Sequence, residues 1–422
     1  MNDSAAIYEV IEAVAKKARE SSTRLGTVDT QTKNSVLGDL LTLLEDNKST
    51  LRLENEKDLE NGRKRGLSGA MLDRLALSDG VIEAMKSGLR EVIALPDPVG
   101  SIETLTRRPN NLLVGRMRVP LGVIAMIYES RPNVTVDAAA LCLKAGNSVI
   151  LRGGSEAFHS NMVLAKVIRR ALSQHNLPTD CVQVVPTTDR QGIHALLQHD
   201  EYIDLVIPRG GEGLIRMVAE NSRIPVLKHY KGVCHIYVDK MADLEKATPI
   251  IINAKTQRPG VCNALEGLLI HEAVASHYLP EIAKKLREAE VVLVGCPRSV
   301  AFSSLISDAQ PDDWGREFLD LKLCVKVVDS MDEAKDYIAT YGSKHTEAII
   351  TEDHAAAMAF LAGVDASAVV VNASTRFNDG GELGLGTEIG ISTSKLHAYG
   401  PMGLEELTTR KFVVFGDGQI RI

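Results

Sequence analysis

Cys262 is the residue of this sequence best placed to act as a nucleophile. It stands in NAKTQRPGVCNALEG, after Pro259–Gly260 and just ahead of an apolar run that begins near Gly267. Lys255 and Arg258 lie upstream, and a positive neighbourhood favours the thiolate, which is the reactive form of cysteine. The residues alone leave a second reading open, a packed and inert thiol. A further cluster lies in YGSKHTEAII, where Ser343, Lys344, His345 and Thr346 come immediately before a strand-like run. Small polar and basic side chains at such a mouth suit an acidic or phosphorylated substrate. A helix cap followed by a polar turn accounts for them equally well.

Two glycine pairs offer anion chemistry of another kind. LRGGSEAF (Arg152, Gly153, Gly154, Ser155) and PRGGEGL (Gly210, Gly211) each separate an apolar run from a helix. A helix start presents backbone N–H groups and the positive end of its dipole, a natural seat for phosphate. Neither segment completes a GxGxxG fingerprint, and no GxxxxGK[ST] loop is present. Two such loops on neighbouring βα units nonetheless raise the expectation of a dinucleotide, and Arg152 could serve an additional phosphate. No metal site is expected: His194 and His199 do not share a helical face, and the cysteines form no CxxC pair. Lone Trp314 reads as packing.

The elements around these residues follow from hydrophobic periodicity. The first hundred residues read as helices, with Ile7, Val10, Ile11, Val14 and Ala18 on one stripe and Val36, Leu37, Leu40, Leu41 and Leu44 on another. ENEKDLENGRKRG reads as an exposed stretch or a polar helix. From Val123 the texture changes to short apolar runs alternating with helices, the pattern of βαβ units and a mostly parallel sheet. A break near Lys228 to Gly232 separates two such units. TRRPNNLLVGRMRVPLG and ELTTRKFVVFGDGQIRI alternate like antiparallel strands and are expected to form an arm that pairs with another subunit.

Composition narrows the class. The chain has 422 residues, 45% hydrophobic and 24% charged, which suits a folded chain of two or three domains. Acidic residues outnumber basic ones, 55 to 48, for a formal charge of −7, which argues against a nucleic-acid partner. No apolar run approaches the length of a membrane span, and Asp3 and Glu9 fall where an export signal would need apolar residues. Six scattered cysteines do not form a disulfide framework. A cytoplasmic enzyme without membrane or nucleic-acid partners is expected.

Taken together and in order, these segments resemble the aldehyde dehydrogenase superfamily. VPLGVIAMIYESRPN is similar to its strand leading to an oxyanion asparagine, here Asn133. AGNSVILRGGSEA is similar to its first cofactor segment, with Arg152 where relatives usually carry lysine. QRPGVCNA resembles its nucleophile loop. YESRPNVTVDAAALCLKAGN, YGSKHTE and GPMGLEELTTRKFV are closer to the branch that reduces γ-glutamyl phosphate. Where aldehyde-oxidising members carry a water-activating glutamate, this chain reads LKHYKGVCHIYVD, with His229 and Lys231 and no acid before the final residue.

The resemblance implies an aldehyde dehydrogenase-like α/β fold with two Rossmann-like α/β domains and a small β oligomerisation arm. The corresponding boundaries are 1–106 with 120–230 for cofactor binding, 231–400 for catalysis, and 107–119 with 401–422 for the arm. It implies NADPH-dependent reduction of L-glutamyl γ-phosphate to glutamate-γ-semialdehyde through a Cys262 thioester, the second step of proline synthesis from glutamate. Cys262 and Asn133 would be catalytic. Arg152, Gly153, Gly154, Ser155, Gly210, Gly211 and Glu317 would hold NADPH, with Arg152 on the adenosine-ribose phosphate. Arg258, Lys255 and His345 would hold the phosphoryl or α-carboxylate group. A glutamate kinase is the implied functional partner, and a homo-oligomer the implied assembly. The competing readings are an aldehyde dehydrogenase forming a free acid, a thiol acyltransferase or hydrolase without redox cofactor, and a non-enzymatic scaffold.

Overall fold

A computed structural model describes residues 2–421. The chain divides into two compact units, one formed by residues up to 228 with 385–390 and the stretch from 402 onward, the other by 229–384 and 391–401. The break falls after Lys228, and a short segment near the C-terminus returns to each unit.

The first unit opens with five helices, Asn2–Leu25, Thr30–Asp46, Lys48–Lys64, Gly69–Leu75 and Asp79–Ala94. Asp29, Ser68 and Ser78 start three of them by accepting a backbone N–H from the first turn, the usual role of a short polar side chain there. Ile11, Ala15 and Ala18 are fully buried, whereas Val10, expected on the same stripe, is exposed. Strands β1 (Ile102–Arg107) and β2 (Leu113–Pro120) form an antiparallel hairpin. The arm-like sheet therefore begins at residue 102, earlier than the expected boundary.

β3 (Val123–Tyr128), β4 (Ser148–Arg152), β5 (Val182–Val184) and β6 (Leu205–Arg209) make a parallel sheet in the order β5-β4-β3-β6. Strand order reverses at β3, so the chain leaves the carboxyl ends of β3 and β6 in opposite directions and opens a crevice there, where open α/β sheets bind ligands. On one face of the sheet Val123, Ala125, Ile127, Ile150 and Val206 pack with Ile11, Ala15 and Ala18 of the first helix, and Ile124, Met126, Val149 and Leu151 of the other face are buried too.

The second unit holds β7 (Cys234–Val238), β8 (Leu265–His271), β9 (Val292–Gly295), β10 (Ile306–Asp308), β11 (Lys322–Val328), β12 (Thr346–Ile350) and β13 (Ala368–Val371). These pair parallel in the order β10-β9-β11-β8-β7-β12-β13. One core lies between Ile236, Leu268, Ile270 and Val325 of the sheet and Ile251, Tyr278, Leu279 and Ile282 of the helices. A second lies around Tyr237, Leu269, Ile349 and Phe360 on the other side chains of the same strands. Short strands β14 (Ile391–Ser392) and β15 (Gly400–Pro401) pair with each other. β16 (Thr408–Phe415) then pairs antiparallel along the whole of β2 to complete the three-stranded sheet.

The polar stretch ENEKDLENGRKRG is helical as far as Lys64, in the helix Lys48–Lys64. Its Asp58 is buried and accepts the backbone N–H groups of His159 (3.1 Å) and Ser160 (2.8 Å) and the Ser160 hydroxyl (2.7 Å). Asp58 thereby caps the helix Phe158–Gln174 that follows the first glycine pair. Burial pushes its carboxyl above the usual range, and the three donors oppose that shift. Asp58→Ala should destabilise the first unit by about 1–2 kcal/mol, read as a lowered urea midpoint. An unchanged midpoint would show the cap to be dispensable.

Candidate active site

The first unit carries a cavity of about 490 Å³ at the carboxyl ends of its strands, lined by Tyr128, Arg152, Gly154, Ser155, Arg190 and Leu214 among others. That volume lies in the ordinary range of ligand pockets. Arg152 is almost wholly buried and turns its guanidinium onto backbone carbonyls, those of Gly153, of Thr188 (3.1 Å) and of Asp189 (3.4 Å). It ties the loop after β4 to the loop after β5. Arg190, on the latter loop, is exposed and offers a cation to the same cavity.

The helix starts beside the glycine pairs already have partners. Asp58 caps the first, and the Gly211 N–H at the second donates to Glu129 Oε2 (2.9 Å). Glu156 Oε1 accepts from the Ser130 backbone (2.8 Å) and hydroxyl (2.6 Å). Carboxylates of the chain itself thus take the N–H groups of His159, Ser160 and Gly211. Asn133 begins the helix Asn133–Lys144, where its Nδ2 donates to Asp137 Oδ2 (3.0 Å).

In the second unit, strand order explains why distant motifs meet. β8, β7 and β12 are neighbours, so the segments entering them converge at one edge of the sheet. Cys262 lies just ahead of β8, Gly232 just ahead of β7, and His345 just ahead of β12. One ring nitrogen each of His229 and His345 and the Cys262 sulfur all lie within 4.8 Å of one another. Cys262 and His229 are partly exposed and His345 is buried. The sequence-predicted thiol and the YGSKHTE histidine are thus brought together. His229, noted in the sequence only as standing near a missing acid, proves to be their companion.

The backbone at the thiol is gripped closely. A Cβ on Gly232 would fall 1.9 Å from the Cys262 carbonyl oxygen, so only glycine fits there. That carbonyl also accepts from the buried Cys234 thiol at 3.2 Å, and burial holds the Cys234 thiol protonated by raising its pKa well above the usual range. Asn263 donates to the Asn378 carbonyl (3.0 Å) and accepts at its own carbonyl from Thr375 (2.8 Å). Asn378 in turn donates to Thr346 Oγ1 (2.8 Å), which lies 2.8 Å from His345 Nδ1. Glu317 Oε1 accepts the Gly232 N–H (2.9 Å), and Lys231 donates to the Gly315 carbonyl (2.8 Å).

Charge around the thiol comes from arginine. Arg258 is exposed. Arg376, which sequence reasoning did not single out, interacts electrostatically with Arg258, Asp379 and Cys262. It donates to Gln257 Oε1 (2.9 Å) and lines a cavity of about 210 Å³ with Asn253, Gln257, Asp379 and Glu382. Its signal in the sequence was a lone arginine in NASTRFND, beside no recognisable motif. Lys255 corrects its expected role. Its ammonium is fully buried 2.8 Å from Glu266 Oε2, on an equally buried carboxylate, so it braces the helix Leu244–Thr256 against β8 and cannot reach a substrate.

His345 is buried, and desolvation, reinforced by His229, pushes its pKa down to about 3. It is neutral at physiological pH and offers a hydrogen bond rather than charge. In the unfolded chain the same imidazole titrates near 6.5. Above that value neither state is protonated and stability is full. As pH falls from 6.5 towards 3, the unfolded state takes up a proton that the folded state refuses, at about 1.4 kcal/mol per pH unit. His345→Asn should flatten the dependence of unfolding free energy on pH between about pH 6 and about pH 4 by that slope. An unchanged slope would mean that His345 protonates freely in the folded chain.

The model of the aldehyde dehydrogenase family matches residues 4–316. The gamma-glutamyl phosphate reductase of Desulfotalea psychrophila is 65% identical over 415 residues, covering 98% of this chain and 99% of that protein. That of Desulfatibacillum aliphaticivorans is 59% identical over the same coverage. The crystal structure of the Thermotoga maritima gamma-glutamyl phosphate reductase superposes with a TM-score of 0.96 at 46% identity, over 98% of this chain and 100% of that one. An acetylating aldehyde dehydrogenase from Geobacillus thermoglucosidasius, at 15% identity and a TM-score of 0.68, shares the fold. Similarity over nearly the full length puts this chain in the aldehyde dehydrogenase family, among its gamma-glutamyl phosphate reductases.

Proposed function

We propose that this enzyme reduces L-glutamyl γ-phosphate to glutamate-γ-semialdehyde, releasing phosphate, by way of a thioester on Cys262 and with NADPH as reductant. The observation that carries the reading is the partly exposed Cys262 flanked by His229 and His345, in a chain with no acid from Leu227 to Val238 to activate water. A thioester formed from an acyl phosphate and then reduced would be wasted by hydrolysis, so the missing carboxylate favours reduction over formation of a free acid.

His229 Nδ1 lies 2.9 Å from the Ile391 carbonyl, which can only accept. Nδ1 therefore carries the proton, and Nε2 is the basic nitrogen that takes the proton of the Cys262 thiol. The thiolate attacks the γ-acyl carbon, and the developing oxyanion is assigned to the Cys262 backbone N–H and the Asn133 amide. Phosphate departs as a stable anion with little acid assistance. Arg258 and Arg376 are assigned to the anionic groups of the substrate, with Asp379 and Glu382 for its ammonium. His345 holds its place beside the thiol as a neutral hydrogen-bonding partner.

Nicotinamide cofactors serve the aldehyde dehydrogenase family, and the cavity of the first unit fits one: it offers a ligand-sized volume and a buried Arg152 Nε with no hydrogen-bond partner. A nicotinamide held there would supply the hydride to the thioester carbon, and cleavage of the C–S bond would then free the semialdehyde and return the Cys262 thiolate. Gly153, Gly154 and Ser155 are assigned to the cofactor, with Gly210 and Gly211 shaping the rim. Glu317 keeps its assignment to the nicotinamide ribose by resemblance. Arg190 takes over from Arg152 the 2′-phosphate that distinguishes NADPH, because its side chain is exposed to the cavity while Arg152 is spent on carbonyls.

The reaction belongs to proline biosynthesis, and its labile acyl phosphate would come from a glutamate kinase. Cysteines present as thiols suit the reducing cytoplasm, the assigned location, and no helix of the described residues is long and apolar enough to cross a membrane. The sheet β1-β2-β16 exposes Ile102, Leu105, Phe412, Val414 and Phe415, a surface suited to a second copy of the chain.

The reverse assay tests the reading. Semialdehyde and NADP should yield reduced nicotinamide only when inorganic phosphate is present, and Cys262→Ser should abolish the signal. Oxidation that proceeds without phosphate would instead favour an aldehyde dehydrogenase forming the free acid. Arg190→Ala should cut the preference for NADPH over NADH by about tenfold, the loss of one charge-assisted contact. If the preference is unmoved, the 2′-phosphate is bound elsewhere.

A further inference from the structure

His229, Cys262 and His345 are far apart in sequence, and no ligand-like spacing announces them. In the folded chain they place two imidazole nitrogens and one sulfur within 4.8 Å of one another. A four-coordinate zinc ion, with Zn–S near 2.3 Å and Zn–N near 2.0–2.1 Å, needs donor atoms about 3.4–3.6 Å apart. The three donors would have to close by roughly 1 Å, a side-chain adjustment.

The surroundings already resemble those of a metal site. A histidine that binds metal through one nitrogen usually donates its other N–H to an oxygen, which fixes the tautomer and aims the lone pair. His229 Nδ1 does so to the Ile391 carbonyl at 2.9 Å. His345 Nδ1 lies 2.8 Å from Thr346 Oγ1. Its Nε2 is a fully buried polar atom with no hydrogen-bond partner, on a side chain with no exposed surface. Cys262 and His229 are partly exposed, which leaves an entry path and a fourth position for water.

We propose that these three residues bind a thiophilic divalent cation such as Zn²⁺, reversibly masking the thiol that starts the reaction. The Cys262 sulfur gives its proton to solvent as the sulfur–metal bond forms, with no change of oxidation state. Two nitrogens and a sulfur select zinc or cobalt and reject magnesium, which prefers oxygen. The effect on turnover rests on Cys262 being the nucleophile; the binding does not.

Cobalt serves as the optical probe. The full-length, metal-free protein titrated with Co²⁺ should develop a near-ultraviolet sulfur-to-cobalt band and visible bands of tetrahedral type, saturating at one equivalent and displaced by Zn²⁺. The near-ultraviolet band should vanish in Cys262→Ser. Apparent affinity should fall at least tenfold in His229→Gln and in His345→Asn, each checked for folding by circular dichroism. Should His345→Asn misfold, His229→Gln alone decides the matter. Zn²⁺ should slow the reaction and shield Cys262 from alkylation until a chelator is added, and Mg²⁺ should do neither. A band that survives Cys262→Ser, or an affinity unaltered in the folded histidine variants, overturns the site. A band with these dependences in a protein whose turnover ignores Zn²⁺ supports the site and sinks the reading of Cys262 as nucleophile. Absence of the band in an enzyme that Cys262→Ser inactivates sinks the site alone.

Discussion

The approach of Gly232 to the Cys262 carbonyl sets the position of everything at the thiol. Two backbones meet where any side chain would intrude, and the contact is fixed on one side by β7 and on the other by β8, adjacent strands of one sheet. Because β12 pairs with β7 on its other edge, His345 enters the same place without a loop of unusual length. The geometry at the thiol is thus a property of sheet order. The hydrogen bonds through Asn263, Asn378 and Thr346 then hold the Cys262 turn and the histidine to one another.

Electrostatics at the thiol run in a consistent direction. Desolvation keeps Cys234 protonated and His345 neutral, so neither competes for the substrate's charge. Arg258 and Arg376 bring positive charge to the region of the thiol, and guanidinium groups suit the planar oxygens of phosphate and carboxylate. The buried Lys255–Glu266 pair, although only a few residues from the thiol, is internal mortar between a helix and a strand. A lysine can be close in sequence to a nucleophile and still belong to the core.

Much of this was legible in the residues. The alternation of apolar runs and helices after Val123 specified two parallel sheets, and the turn QRPGVCNA marked the thiol before any coordinates. What could not be read was pairing across long separations. Nothing in the helix bearing Asp58 reveals that it caps a helix a hundred residues later, nor in PRGGEG that Glu129 occupies the Gly211 N–H. The glycine pairs accordingly looked like open phosphate seats. Arg152 looked like a ligand because a strand-end arginine usually faces solvent; only the fold shows the carbonyls it turns back to meet. Arg376 had no local pattern, since its relevance comes entirely from where β13 ends.

The cap supplied by Asp58 also bears on how the polypeptide can be divided. Residues 123–209 contain every strand of the first parallel sheet and look like a self-sufficient nucleotide-binding module. Excised, that fragment would lose the carboxylate at the head of its longest crossover helix together with Ile11, Ala15 and Ala18, which cover its sheet. The helical preamble is therefore structural flooring, and a trimmed version of this unit would have to be re-engineered with a new cap and a new apolar cover before it could stand by itself.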